Sequence, residues 1–191
     1  MFFAFLHEMG HLLAGVLLGL KPKSLQIMPF GLSVSFELYR KKKSPNTYQF
    51  KKILIAMAGP ITNFLIVVAI LMYQDYFSYE MLNKLIYSNL IIGIFNLIPI
   101  YPLDGGRIVK CLIKIRQGAE KADKKSYQIS NAIIIMLTVV SSIAIFYFKN
   151  IAILFIIAYL WVLVVKENRK YALKERVYHI IKQEEKRKVV C

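Results

Sequence analysis

Long apolar runs separated by basic stretches constrain this chain more than any other feature. Five stand out: residues 1–20, 53–73, 85–103, 131–148 and 150–165. As helices rising about 1.5 Å per residue, they come close to spanning a hydrocarbon core of roughly 30 Å. The third is broken near its end by Pro99 and Pro102. The chain is 57% hydrophobic with a mean hydropathy of +0.50, more apolar than an average soluble domain. The expected fold is therefore an all-α polytopic membrane protein of about five transmembrane helices.

The net charge of +15 then belongs to the connections. Residues 21–52, 104–130 and 166–191 together carry 24 of the 26 lysines and arginines. Residues 74–84 and the 149–150 turn carry one each, Lys84 and Lys149. This alternation follows the positive-inside rule, which places the basic stretches in the cytoplasm and accounts for the charge without a nucleic-acid partner. Five spans with a cytoplasmic tail put Met1 outside, so a further helix is expected upstream. The first twenty residues lack the basic start and small-residue cleavage site of a signal peptide. Cys111 and Cys191 fit neither a metal motif nor a disulfide framework.

Four regions follow: a catalytic membrane core at 1–110, a basic cytoplasmic loop at 111–130, two further transmembrane helices at 131–165, and a basic tail at 166–191. Between the first two spans, Ser33–Leu38 alternates polar and apolar residues after Pro29 and Gly31. That pattern predicts a short β-hairpin. In the tail, Leu173, Val177, Ile180 and Ile181 share a helix face among Lys174, Arg176 and Lys182. This reads as an amphipathic helix resting on the membrane, or as a solvated or partner-bound one.

The strongest chemical signal is His7-Glu8-Met9-Gly10-His11. On a helix, positions i and i+4 share a face, so both imidazoles reach one ion. Zinc accepts such nitrogens and leaves a position open in catalytic sites. Glu8 stands ready to take a proton from water. Ionisable groups inside an apolar segment are expensive and usually functional. From His11 to Lys21 is roughly 15 Å of helix, which sets the metal well below the cytoplasmic surface. The remaining histidine, His179, lies in the charged tail as a solvated or interfacial side chain.

A third protein ligand is needed. Asp104 is the best candidate, after Pro99 and Pro102 and before Gly105-Gly106. The prolines end a helix and the glycines allow a sharp turn back toward the metal. The other reading is an ordinary Asp-Gly turn at the membrane edge. Ala56, Gly59 and Asn63 lie near one face of the second span, and Gly15 and Gly19 offer a matching small stripe on the first. Asn63 either points into the cavity, to bind substrate or an oxyanion, or makes a helix–helix hydrogen bond. Asn96 either binds substrate backbone or an oxyanion, or supports the kinked segment.

Together these residues resemble the site-2 protease family of intramembrane zinc metalloproteases. His7–His11 is similar to the family's metal helix, Gly59-Pro60-Ile61-Thr62-Asn63 to its second core motif, and Asn96 through Gly105 to its Asn/Pro-Asp-Gly motif. Met28-Pro29-Phe30-Gly31 and Pro102-Leu103-Asp104-Gly105-Gly106 look most like the sporulation branch, stage IV sporulation protein FB. The resemblance implies one zinc ion held by His7, His11 and Asp104, with Glu8 as the catalytic base. It implies cleavage of a membrane-associated precursor, such as that of the late mother-cell sigma factor, and inhibitory partners in the membrane. That branch commonly carries a nucleotide-sensing CBS domain, for which the 26 residues after Val165 are too few. An extended substrate is expected to pair with Ser33–Leu38. The competing readings are a non-catalytic membrane scaffold and a metal transporter. A scaffold has no need of Glu8.

Overall fold

The computed structural model describes residues 1–20, 22–28, 31–36 and 45–190. Among them are six α-helices: α1 Phe2–Leu17, α2 Pro45–Met72, α3 Tyr79–Asn96, α4 Asp104–Gln117, α5 Ala119–Phe148 and α6 Ala152–Val190. Two strands, β1 Pro22–Met28 and β2 Gly31–Phe36, lie between α1 and α2. They pair antiparallel with Met28 opposite Gly31, and β2 runs beside α1. Pro29, Glu37 and Leu38, which the sequence pattern drew into this region, lie outside the described residues.

The bundle is apolar outside and polar at its heart. In α1 the buried residues are His7, Gly10, His11 and Gly15, while Phe2, Phe5, Leu13, Val16 and Leu17 are exposed. In α2 one face buries Ala56, Asn63, Val67 and Ile70; the other exposes Leu54, Met57, Ile61, Leu65 and Val68. A continuous apolar outer face suits hydrocarbon rather than water. Asn46–Met72 and Ala119–Tyr147 are long and apolar enough to cross a membrane, and Phe2–Leu17 is apolar but shorter. The expected segment 85–103 falls in α3 and the turn after it, and 150–165 falls in α6. Glu80 and Lys84 open α3, and Lys166, Glu167 and Arg169 follow the apolar part of α6.

The helices extend beyond the apolar runs. α2 starts at Pro45 rather than near residue 53, and α5 at Ala119 rather than near 131. Residues 111–130, expected as a loop, are helical on both sides of Gly118. The tail is not a separate helix but the continuation of α6. Lysine, glutamate and alanine are good helix formers, so a charged stretch leaving the membrane continues the helix it follows. Lys51, in the basic part of α2, donates to the Leu18 carbonyl at the end of α1, where cations are favoured.

The expected small stripe of Gly15 and Gly19 is corrected at Gly19, while Gly15 is buried in α1. Gly19 ends α1: with φ +72° it lets its own N–H bond the Val16 carbonyl and the Leu20 N–H bond the Gly15 carbonyl. That pair of bonds is the Schellman motif, which needs a left-handed residue. α1 also approaches α2 closely at Gly10, which faces Thr62 and Ala58.

The two C-terminal helices support the turn between α3 and α4. Ile100, fully buried in that turn, packs with Ile134 of α5 and with Leu160 and Val164 of α6. The Tyr101 N–H donates to Ser130 Oγ on α5 at 3.0 Å. In lipid, such packing and interhelical hydrogen bonds replace the hydrophobic drive as the source of association. Asn168 Nδ2 to Asn131 Oδ1, at 2.8 Å, and Trp161 Nε1 to Thr138 Oγ1, at 3.0 Å, tie α6 to α5. Beyond the apolar zone, Asp123 of α5 takes Lys110 of α4 at 2.9 Å and also Lys174 of α6.

Candidate metal centre

Four helices, α1 to α4, deliver the polar heart. α1 presents His7 and His11, one turn apart and 3% and 5% exposed. α4 begins at Asp104, 4% exposed. The glycines after it do not make the expected turn; they are helical in α4's first turn and pack against the backbone of residues 97–101. A carboxylate in a first helical turn also faces the positive end of the helix dipole.

The distances form a tight triangle. Asp104 Oδ2 is 3.1 Å from His7 Nε2 and 3.0 Å from His11 Nε2, and the two Nε2 atoms are 3.2 Å apart. In a tetrahedral zinc site with bonds of about 2.0–2.1 Å, ligand atoms stand about 3.3–3.4 Å apart. The triangle is within a few tenths of an ångström of that spacing. The other carboxylate oxygen, Oδ1, is 3.6 Å from Arg107 Nη1, one turn along α4. Glu8 is half-buried, and its carboxylate lies within 4.8 Å of the ligand nitrogens of both histidines. Two carboxylates thus stand near the imidazole pair, and the shorter distances belong to Asp104.

The protons decide what the triangle can hold. His7 Nδ1 is 2.6 Å from Asn63 Oδ1, and His11 Nδ1 is 2.6 Å from the Ile55 carbonyl. Carbonyl oxygens only accept, so each imidazole carries a proton on Nδ1 and donates it. In neutral imidazoles both Nε2 atoms then present lone pairs. With both imidazoles neutral, two nitrogen lone pairs and a carboxylate oxygen would converge with no proton between them. Such a set repels itself unless a cation sits there, and hydrogen bonds on the far nitrogens are what metal-ligating histidines use to fix their tautomer.

Gly59 makes room for this. A Cβ there would lie 2.6 Å from His7 Nε2 and nearer still to His11 Nε2, inside the space between the imidazoles. The neighbouring Pro60, fully buried, has no N–H to give the Ala56 carbonyl, which loosens α2 beside the histidines.

The two asparagines singled out from sequence differ in where they lie. Asn63, 0% exposed, has both ends of its amide engaged: Oδ1 with His7, and Nδ2 with Asn89 Oδ1 of α3 at 3.0 Å. It contacts a histidine of the site and bridges α2 to α3, and that bridge is the helix–helix hydrogen bond that was one of the two readings of this residue. Asn96 donates Nδ2 to the Ile92 carbonyl of its own helix at 3.0 Å. Among the described residues no hydrogen bond joins Asn96 to His7, His11 or Asp104. Asn89 was missed. Its signal was present, since it is a polar side chain in an apolar run, seven residues before Asn96 and on the same helix face.

A helical bundle with an apolar exterior and a buried His-His-Asp acceptor set defines a membrane metalloprotein. The sequence matches the Peptidase family M50 model over residues 1–83 and 77–140, and the chain belongs to that family. It is 29% identical over 137 residues to a zinc metalloprotease of Methanocaldococcus jannaschii, covering 69% of this chain and 38% of that protein. It is 30% identical over 112 residues to a Synechocystis sp. protein assigned as a zinc metalloprotease, covering 56% of this chain and 28% of that one. Its fold is similar to the solved site-2 protease from Methanocaldococcus jannaschii, with a TM-score of 0.64 and 25% identity, over 85% of this chain and 72% of that chain. The chain thus spans about two fifths or less of the length of these two sequence relatives. The family is one of integral membrane zinc metalloproteases.

Proposed function

We propose that this chain is the catalytic part of an intramembrane zinc endopeptidase. The observation that carries this reading is the convergence of His7 Nε2, His11 Nε2 and Asp104 Oδ2 within 3.2 Å of one another. His7, His11 and Asp104 hold the metal, and Glu8 is the general base. An ion held there would supply Lewis-acid chemistry to the scissile carbonyl and to the attacking water. Glu8 takes the proton from the attacking water and returns it to the leaving amine. The buried setting limits water to what enters between the helices.

We place five segments across the bilayer, on α1, α2, α3, α5 and the first half of α6, with the active centre toward the cytoplasm. The distribution of lysine and arginine supports that orientation. The substrate is a membrane-associated protein. The finer reading, a sporulation sigma-factor precursor together with membrane inhibitory partners, is supported by the likeness at Met28–Gly31 and Pro102–Gly106. An extended substrate segment adds to the edge of β2 not taken by β1. Proline substitutions at Ser33 and Ser35 should slow cleavage and leave zinc content unchanged; equal cleavage rates would remove that step.

The direct test of the enzyme reading is metal removal. Chain reconstituted in vesicles with a tagged single-pass substrate should lose cleavage on treatment with 1,10-phenanthroline and regain it with added Zn²⁺. Cleavage that persists in metal-free protein would refute the reading. Chelator-sensitive zinc flux without cleavage would favour a transporter.

A further inference from the structure

We propose that Asn89 is a positioning residue for the metal site, acting through Asn63 to hold the His7 imidazole in its metal-binding tautomer. The inference rests on the metal reading above. Its evidence is a chain of buried hydrogen bonds in which each direction forces the next. Asn89 Nδ2 donates to the Leu85 carbonyl of α3 at 2.9 Å. A carbonyl cannot donate, so the Asn89 amide is fixed with its oxygen toward α2. That oxygen accepts from Asn63 Nδ2 at 3.0 Å. Asn63 must then turn its own oxygen toward α1, where it accepts from His7 Nδ1 at 2.6 Å. The proton is held on Nδ1, and Nε2 keeps its lone pair for the metal.

Both asparagines are 0% exposed, so water does not substitute for a lost link. His11 needs no such chain, because the Ile55 backbone carbonyl sets its tautomer in one step. His7 depends on two side-chain amides in series, and Asn63 is free to flip once Asn89 is gone. A flipped Asn63 presents N–H to His7 Nδ1. The imidazole then carries its proton on Nε2, which faces Asp104 and cannot bind an ion.

The test is zinc affinity of the purified chain in detergent, by competition with a chromophoric chelator, together with the visible spectrum of the Co²⁺-substituted protein. Asn89→Leu should lower zinc affinity on the order of 10–100-fold, as loss of an outer-shell partner does elsewhere. It should also change the Co²⁺ bands. Asn89→Asp should restore most of the affinity, since a protonated carboxyl keeps both an acceptor for Asn63 and a donor for Leu85. Asn168→Leu removes a comparable interhelical bond away from the site and should lower thermal stability without moving zinc affinity. If Asn89→Leu does not fold, Asn89→Ser serves, because a hydroxyl imposes no direction on Asn63, and the same loss is expected. Wild-type affinity in Asn89→Leu or Asn89→Ser overturns the proposal, as does a loss in Asn89→Asp equal to that in Asn89→Leu. A wild-type chain that binds no zinc, or binds it equally well after His7→Ala, overturns the metal reading itself.

Discussion

Glu8→Gln is expected to leave zinc bound at one ion per chain and to lower the rate of substrate cleavage by about 10²–10⁴-fold. Glutamine keeps the size and polarity of the side chain but cannot accept the proton from water. His7, His11 and Asp104 already form the compact triangle, with Glu8 at the longer distance, so removal of its charge does not dismantle the site. The measurement pairs zinc content by elemental analysis with single-turnover cleavage in vesicles. Unchanged cleavage would remove Glu8 from the mechanism. Loss of zinc in parallel with activity would make it a ligand instead.

The second large effect is expected at a residue with no side chain. Gly59→Ala sets a methyl group 2.6 Å from His7 Nε2, closer than any real Cβ contact. The imidazoles cannot step aside freely, because Asn63 and the Ile55 carbonyl hold their far nitrogens. Zinc affinity should fall on the order of 100-fold or more, at least as much as loss of an outer-shell partner. Gly10→Ala is the comparison. Its methyl meets Thr62 and the Ala58 carbonyl, so it should loosen the α1–α2 contact and lower the melting temperature with a much smaller loss of zinc affinity. Zinc binding in Gly59→Ala at wild-type affinity would show that the space between the imidazoles is not the metal's.

What could be read from the sequence was what is local. His7, Glu8 and His11 are legible because helical periodicity alone puts the two histidines on one face. Asp104 is legible because prolines must end the helix before it. Asn63 was found with two readings left open, a cavity contact or a helix–helix hydrogen bond, and Asn89 was passed over. Their functions exist only where α1, α2 and α3 meet, and no spacing along one helix encodes that meeting. The glycines show the same limit. Gly19 looked like packing and is a helix terminus, while Gly105 and Gly106 looked like a turn and are helix. Helix ends were misjudged for a different reason. Hydropathy marks where a helix touches lipid, and α2, α5 and α6 continue through charged residues beyond that zone.

The unbroken course of α6 has a structural consequence. Its 39 residues make a rod of about 58 Å, nearly twice the roughly 30 Å hydrocarbon thickness. Its inner part grips Ile100 through Leu160 and Val164, four residues from Asp104. Its outer part is clamped to α4 and α5 at Asp123. One continuous helix therefore both packs on Ile100, in the turn before Asp104, and meets Asp123 of α5 beyond the apolar zone.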